Sequence, residues 1–232
     1  MPDIEKNVPL GEQAYAAIKK MIIEGELASN QAVPESVLAK RLGISRSPVK
    51  AALTRLMEDG FVIGEPWKVP YVAPVSAKYI DDVYQLRKAL ETQCASQALN
   101  RIPSAEIEAL AAMLVGILPE IESGNYAPVR DAFRRFEGIL LENCDNELLR
   151  MMLIKLRDHI ERVRFATLSI EEGEFHHREY WILREEVDAM RARDASRLSR
   201  ILSEHTDAYR QWIVQQWDLV ASRLDAESAL QQ

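Results

Sequence analysis

Five basic side chains, Lys40, Arg41, Arg46, Lys50 and Arg55, fall within residues 36–57, SVLAKRLGISRSPVKAALTRLM, and no Asp or Glu interrupts them. The chain of 232 residues has a net charge of −7, so a local +5 runs against the balance of the whole. The chemistry such residues can do is recognition of an anion. Lys and Arg neutralise phosphates, and a guanidinium pairs bidentately with guanine. Ser45, Arg46, Ser47 and Lys50 stand at the opening of a helical stretch, where the backbone N–H groups themselves attract phosphate.

The surrounding elements must hold those side chains outward. Leu10, Ala14, Ile18, Met21 and Ile22 recur at helical spacing and predict a helix over 10–25 that stops at Gly25. A second helix opens near Pro34, carries the stripe Val37, Leu38 and Leu42, and ends at Gly43. Ser45 or Ser47 caps a third, with Pro48 in its first turn. Its inward residues are Val49, Leu53 and Leu56, while Arg46 and Lys50, four apart, share the outer face and Arg55 lies further along. Short β-type runs at Phe61–Ile63 and Tyr71–Val72, around Gly64, Pro66 and Pro70, predict a small hairpin. Three helices and a two-stranded wing make a winged helix-turn-helix. A three-helix domain with a solvated basic face would give the same charge pattern.

Charge also divides the chain. Residues 1–75 hold nine Lys/Arg and nine Asp/Glu, and the rest holds twenty against twenty-seven. The acidity lies entirely in the second part, which reads as helices at about 77–100, 104–123, 127–144, 146–168, 175–193 and 194–222. Their apolar stripes include Val83, Leu86 and Leu90, then Leu149, Met152, Leu156, Ile160 and Val163, then Leu198, Ile201, Leu202 and Trp212. The expected class is mainly α: a winged helix-turn-helix over 1–75, an antiparallel bundle of about six helices over 76–225, and a frayed tail over 226–232.

Several function classes fall away. Cys94 and Cys144 match no metal spacing and make no disulfide framework, which points to a reducing, cytoplasmic setting. No apolar run approaches a membrane span, and MPDIEKNVPLGEQAY lacks the basic and apolar regions of a signal peptide. With no nucleophile–base pair, no useful carboxylate pair and nine glycines in all, an enzyme is not expected. His176 and His177 are adjacent and cannot share a helix face, so both, like His159, are expected at the surface.

LAKRLGISRSPVKAALTRLMEDGFV, preceded by EQAYAAIKKMIIEGEL, resembles the DNA-binding domain of the GntR family of bacterial transcription regulators. The resemblance implies dimeric operator binding, with the third helix in the major groove and the wing tip near the minor groove. It carries Ser45, Arg46, Ser47 and Lys50 onto the recognition helix, and adds Arg55 and the wing's Lys68 as DNA-binding candidates. Lys50 stands where Arg is commoner, and the two are not equivalent at a bidentate site. Ser36 replaces an Arg of many relatives. The wing tip reads Glu65-Pro66-Trp67-Lys68-Val69-Pro70, with Val69 at the usual Gly and Glu65 where a cation is common.

VYQLRKALE (83–91), FEGILLENCDNELL (136–149), VDAMRARD (187–194) and His205 resemble the helical effector domain, FCD, of the family's FadR-like branch. Such domains bind small carboxylates, often around a metal held by an Asp and three His. Here the Asp position is Phe133, and two His positions are Glu137 and Leu183. Only His205 remains, so no metal or other cofactor is expected. Phe133 and Leu183 suggest an apolar pocket. Arg87 is the candidate carboxylate clamp, with an ion pair to Glu91 as the equal alternative. Glu137 would face His205 or Arg87, as a ligand group or as a buried polar pair. The resulting expectation is a homodimeric, ligand-responsive regulator of double-stranded DNA with a small organic-acid effector and no membrane partner. The alternative is a constitutive DNA-binding dimer that has lost its ligand.

Overall fold

The computed structural model describes residues 8–167 and 173–230, with the side chains of the last helix described as far as Trp217. It divides into two compact units, residues 1–76 with 161–166, and residues 77–160 with 167–232.

The first unit begins with α1 (Leu10–Ile23), α2 (Glu35–Leu42) and α3 (Arg46–Glu58). Periodic burial explains each helix. Ile18 on α1, Leu38 on α2 and Val49, Leu53 and Leu56 on α3 meet in one core, each at 2% exposure or less. Val37 does not join them: it is 58% exposed, because Leu38, Ala39 and Leu42 already fill the inward arc of this two-turn helix. Gly43 at φ 69 makes the left-handed turn between α2 and α3, a conformation that costs a side chain and not a glycine. Ser45 occupies the N-cap of α3, but its side chain makes no capping bond. Pro34 likewise stands at the N-cap of α2, one residue before the first turn.

The wing pairs β1 (Val62–Ile63) with β2 (Tyr71–Val72), with Val62 opposite Val72 and Ile63 opposite Tyr71. The segment before α2 adds to it through an isolated bridge between Ala32 and Tyr71 and a Val33 N–H bonded to the Pro70 carbonyl at 2.8 Å. The turn between β1 and β2 is therefore anchored at its base while its tip stays open.

The second unit contains α4 (Ala77–Ala98), α5 (Ser104–Met113), α6 (Ile117–Glu122), α7 (Ala127–Glu142), α8 (Glu147–Thr167) apart from its residues 161–166, α9 (Gly173–Arg191) and α10 (Ala195–Leu230). Seven helices stand where about six were expected. Gly116, at φ 85, breaks the expected 104–123 helix into α5 and α6, and Pro119 fits the first turn of α6, where its missing N–H costs nothing. The helix starts are made locally: Asn146 accepts from the N–H of Leu149 at 3.1 Å and Asp194 from that of Arg197 at 2.9 Å. Residues 226–230, expected to fray, continue α10 as helix.

Helix α10 packs along α4, and α9 closes on α5, α6, α7 and α10. Two expected stripes hold except at one position each, where the neighbouring residue is buried instead. On α4, Leu86 is 49% exposed and Arg87 is buried beside Val83 and Tyr84. On α8, Met152 is 52% exposed and Leu153 is buried instead. The exchange on α4 turns a guanidinium into the bundle. Both cysteines are buried and free.

Candidate nucleic-acid interface and effector site

Helix α3 is two-faced. Val49, Ala52, Leu53 and Leu56 are buried, while Arg46, Ser47, Lys50, Ala51 and Thr54 are exposed along the other side. Arg46, Lys50 and Thr54 follow one another at four-residue steps, so they line a single edge. Its first turn carries no acid. Among the described residues, neither Arg46 nor Lys50 enters an ion pair. Both cations therefore project from the N-terminal half of a helix whose own N–H groups favour an anion. Thr54, whose hydroxyl donates to the Lys50 carbonyl at 3.1 Å, extends this edge and was missed from sequence. Its spacing from Lys50 was the available signal.

The remaining cations of the basic stretch differ. Arg41 pairs with Glu26, and Arg55 pairs with Glu12. The Arg55 guanidinium also lies 4.2 Å from the centre of the Tyr15 ring, and the Tyr15 hydroxyl donates to Asp59 at 2.6 Å. Burial and that hydrogen bond raise the Tyr15 pKa above its ordinary value. Arg55 thus ties α3 to α1 rather than joining the Arg46–Lys50 edge. On the wing, Lys68 pairs with Glu65 at 2.6 Å, so the tip's one cation is balanced locally. Trp67 stands fully exposed beside it, at φ 66. A non-glycine residue in the left-handed region stores about 1–3 kcal/mol of strain.

Within the helical unit the effector candidates are not all together. Arg87 donates from Nε to both oxygens of Glu91 at 2.9 Å and from Nη2 to Glu137 at 3.0 Å. Arg87 thus makes the ion pair with Glu91 and also meets Glu137, so one guanidinium bridges α4 to α7. His205 faces elsewhere. Its Nε2 is 2.7 Å from Glu179 and its Nδ1 is 3.5 Å from Glu186, the latter too long for a good hydrogen bond. Phe133 packs its ring 5.7 Å from the His205 ring, and Leu183 is wholly buried.

This interior is polar, contrary to the apolar pocket expected from Phe133 and Leu183. Glu179 and Glu186 lie seven apart on α9, on either side of Leu183, and supply what the sequence reading missed. The signal was an acid placed on an otherwise apolar stripe. Burial would lower the His205 pKa, but Glu179 and Glu186 override it and push it up to about 10. Burial, reinforced by Glu179 and Glu91, raises that of Glu186 despite His205.

The other histidines also depart from expectation. His176 is buried, stacked on Tyr126 with ring centres 4.1 Å apart, and burial, aided by Arg130, lowers its pKa to about 4. His159 is half-buried and hydrogen-bonds the Tyr79 hydroxyl at 2.6 Å. Among the described residues, no three His, Cys, Asp or Glu side chains are disposed to hold a metal, and no helix is long and apolar enough to cross a membrane.

A winged helix-turn-helix joined to a helical bundle defines the chain as a DNA-binding transcription regulator rather than an enzyme. The sequence model described as bacterial regulatory proteins, gntR family, matches residues 10–68, and that of the FCD domain matches residues 82–208. The chain belongs to the GntR family, with an FCD domain as its helical part. It is 26% identical over 183 residues to the uncharacterized HTH-type transcriptional regulator YdhC of Bacillus subtilis, covering 78% of this chain and 80% of that one. It is 23% identical over 201 residues to the HTH-type transcriptional repressor RspR of Escherichia coli, covering 85% and 86%. Its fold resembles E. coli McbR/YncC at TM-score 0.72, with 20% identity over 90% of this chain and 99% of that one. A putative GntR regulator from Rhodococcus follows at TM-score 0.66, with 18% identity over 88% and 97%.

Proposed function

We propose that the chain is a cytoplasmic, homodimeric regulator that binds a pseudo-palindromic operator through α3 and answers to a small-molecule effector held in its helical domain. Ser45, Arg46, Ser47 and Lys50 contact the major groove, Arg46 by pairing with a base edge and the others through phosphate or base. The observation that carries this is the Arg46–Lys50–Thr54 edge: exposed cations without ion-pair partners among the described residues, on the side of α3 away from its buried Val49, Leu53 and Leu56. The wing contributes through Trp67, an aromatic wedge of the kind that unstacks base steps in the minor groove, more than through Lys68.

The dimer is supported by α8. Leu148, Met151 and Met152 are 69%, 46% and 52% exposed and share one face, opposite the buried Leu149, Leu153 and Leu156. Contiguous exposed apolar side chains on one helix face suit an isologous contact, and a two-fold dimer would set the spacing of two half-sites. An effector acts by binding unequally to the two populations of head orientation.

The expected carboxylate effector finds less support, because an acid would have to displace Glu91 or Glu137 from Arg87. That occupancy also favours the second reading, a constitutive dimer without ligand. The test is fluorescence anisotropy against operator fragments selected from random DNA at physiological salt. Binding no tighter to selected than to random DNA would overturn the regulator, and a ligand that changes operator affinity would exclude the constitutive form.

A further inference from the structure

The tip of the wing carries a side chain that the fold does not use. The Lys68 N–H donates to the Glu65 carbonyl at 3.2 Å and closes a turn with Pro66 and Trp67 at its centre. Proline first and a positive φ second, 66 at Trp67, give the form of a type II turn. The second central position of that turn belongs to glycine or asparagine, because other side chains are strained there. Trp67 accepts the strain and recovers nothing from packing: it is wholly exposed, and its ring meets no other ring and no cation among the described residues. A strained residue whose side chain serves no core points to function.

The loop is also held at both roots. At one, the Val33 N–H bonds the Pro70 carbonyl at 2.8 Å. At the other, Gly64 lies so near α3 that a Cβ would meet the Met57 Sδ. Pro66 and Pro70 stiffen what lies between. The ring is therefore presented in a fixed place beside the helix that carries Arg46 and Lys50, and it loses little freedom on binding.

The charge at the tip narrows what the ring can meet. Lys68 is balanced by Glu65 at 2.6 Å, so the tip brings no net cation. A phosphate and a narrow A-tract groove both reward cations, and neither is served here. A neutral aromatic face gains most where base pairs part readily and uncover faces of their own. The pyrimidine–purine steps TA and CA/TG are the ones that unstack most easily.

We propose that Trp67 determines operator specificity by wedging, from the minor groove, into a pyrimidine–purine step beside the bases reached by α3, kinking the duplex there. This rests on the reading of the chain as an operator-binding regulator, and it gives that operator a sequence feature that no hydrogen bond from α3 selects.

The test selects operators from random DNA with the full chain and, separately, with Trp67→Gly and Trp67→Asn, whose new residues both tolerate positive φ. Operators of the native protein should carry a TA or CA step at a fixed distance outside each half-site. Those of the two variants should keep the half-site and lose the step. On a native operator both variants should bind roughly tenfold more weakly, with Tm unchanged or raised, and Trp67→Phe should retain most of the affinity. Energy transfer between dyes on the two duplex ends should report a bend that Trp67→Gly and Trp67→Asn reduce. Equal affinity of the native protein and both variants, or an equal loss on every flanking sequence, would overturn Trp67 as a specificity residue and leave the regulator standing. A Tm that falls together with affinity would make the ring a support of the wing and overturn it as well. A native protein that selects no sequence at all would remove the regulator and the wedge together.

Discussion

The head and the helical domain both carry cations at defined places, and the two use them in opposite ways. On α3, Arg46 and Lys50 are exposed and without ion pairs among the described residues. In the bundle, Arg87 is bonded to two glutamates and His205 is held between two others. A hydrated cation at a helix start costs the fold little and keeps its full field for a phosphate. A buried cation is tolerated only when its partners travel with it. The same residue types therefore signal a partner at the surface and an internal framework in the core.

The sharpest way to break the comparison is to remove a buried cation. Arg87→Ala leaves Glu91 and Glu137 buried without their common donor, and such losses cost about 3–5 kcal/mol. Urea unfolding of the helical domain should show this loss, whereas selected-operator affinity of the folded protein should change little. A fall under about 1 kcal/mol would mean that the bundle admits water to the cluster.

Acid offers a second test. The His176 pKa lies below its ordinary 6.5, at about 4, so the folded state prefers the neutral ring. Its contribution is present above pH 6.5 and is lost as pH falls through 4. His205 is raised to about 10, so its contribution is present below 6.5 and lost as pH rises through 10. NMR titration of the two rings should find His176 neutral and His205 charged throughout the neutral range. His176 titrating near 6.5 would place it at the surface after all.

Removing an exposed cation should have a smaller and different effect. Arg46→Ala should lower selected-operator affinity by about 1–3 kcal/mol and leave unfolding unchanged. Arg55→Ala should do the reverse, with a stability loss under about 1 kcal/mol because its pair with Glu12 is largely solvated, and little loss of affinity. Equal affinity losses from the two variants would erase the distinction between them.

That distinction marks how far the sequence could be read. The head is legible because its determinants are local: Val49, Leu53 and Leu56 at helical steps, Gly43 at the turn, and cations four apart. Arg55 carries the same charge as Arg46, and only the fold brings Glu12, 43 residues away, to its side. The bundle repeats the lesson on a larger scale. Its helices follow from periodicity, but Arg87 meets Glu137 across 50 residues and His205 meets Glu179 across 26. Arg87 is buried where Leu86 was expected, and the carboxylates it and His205 meet come from three different helices. The break at Gly116 was legible in principle, since Gly-Ile-Leu-Pro combines a left-handed turn with a first-turn proline.

The smallest effect belongs to the wing, and it asks whether a surface cation that is already paired still counts. Lys68 and Glu65 are both exposed, 2.6 Å apart, and such a pair holds itself by less than about 1 kcal/mol. The field of Lys68 is nonetheless reduced at the distance of a phosphate by the adjacent carboxylate. Glu65→Gln should therefore strengthen binding to random DNA and make log Kd steeper in log salt by up to about one unit, the increment of one further phosphate contact. Selected-operator discrimination should stay the same, since no base edge is gained. Lys68→Ala in the native wing should change either slope hardly at all. If Lys68→Ala alone flattens the slope by a full unit, the pair opens on DNA. The wing's cation then belongs with Arg46 and Lys50 rather than with Arg55.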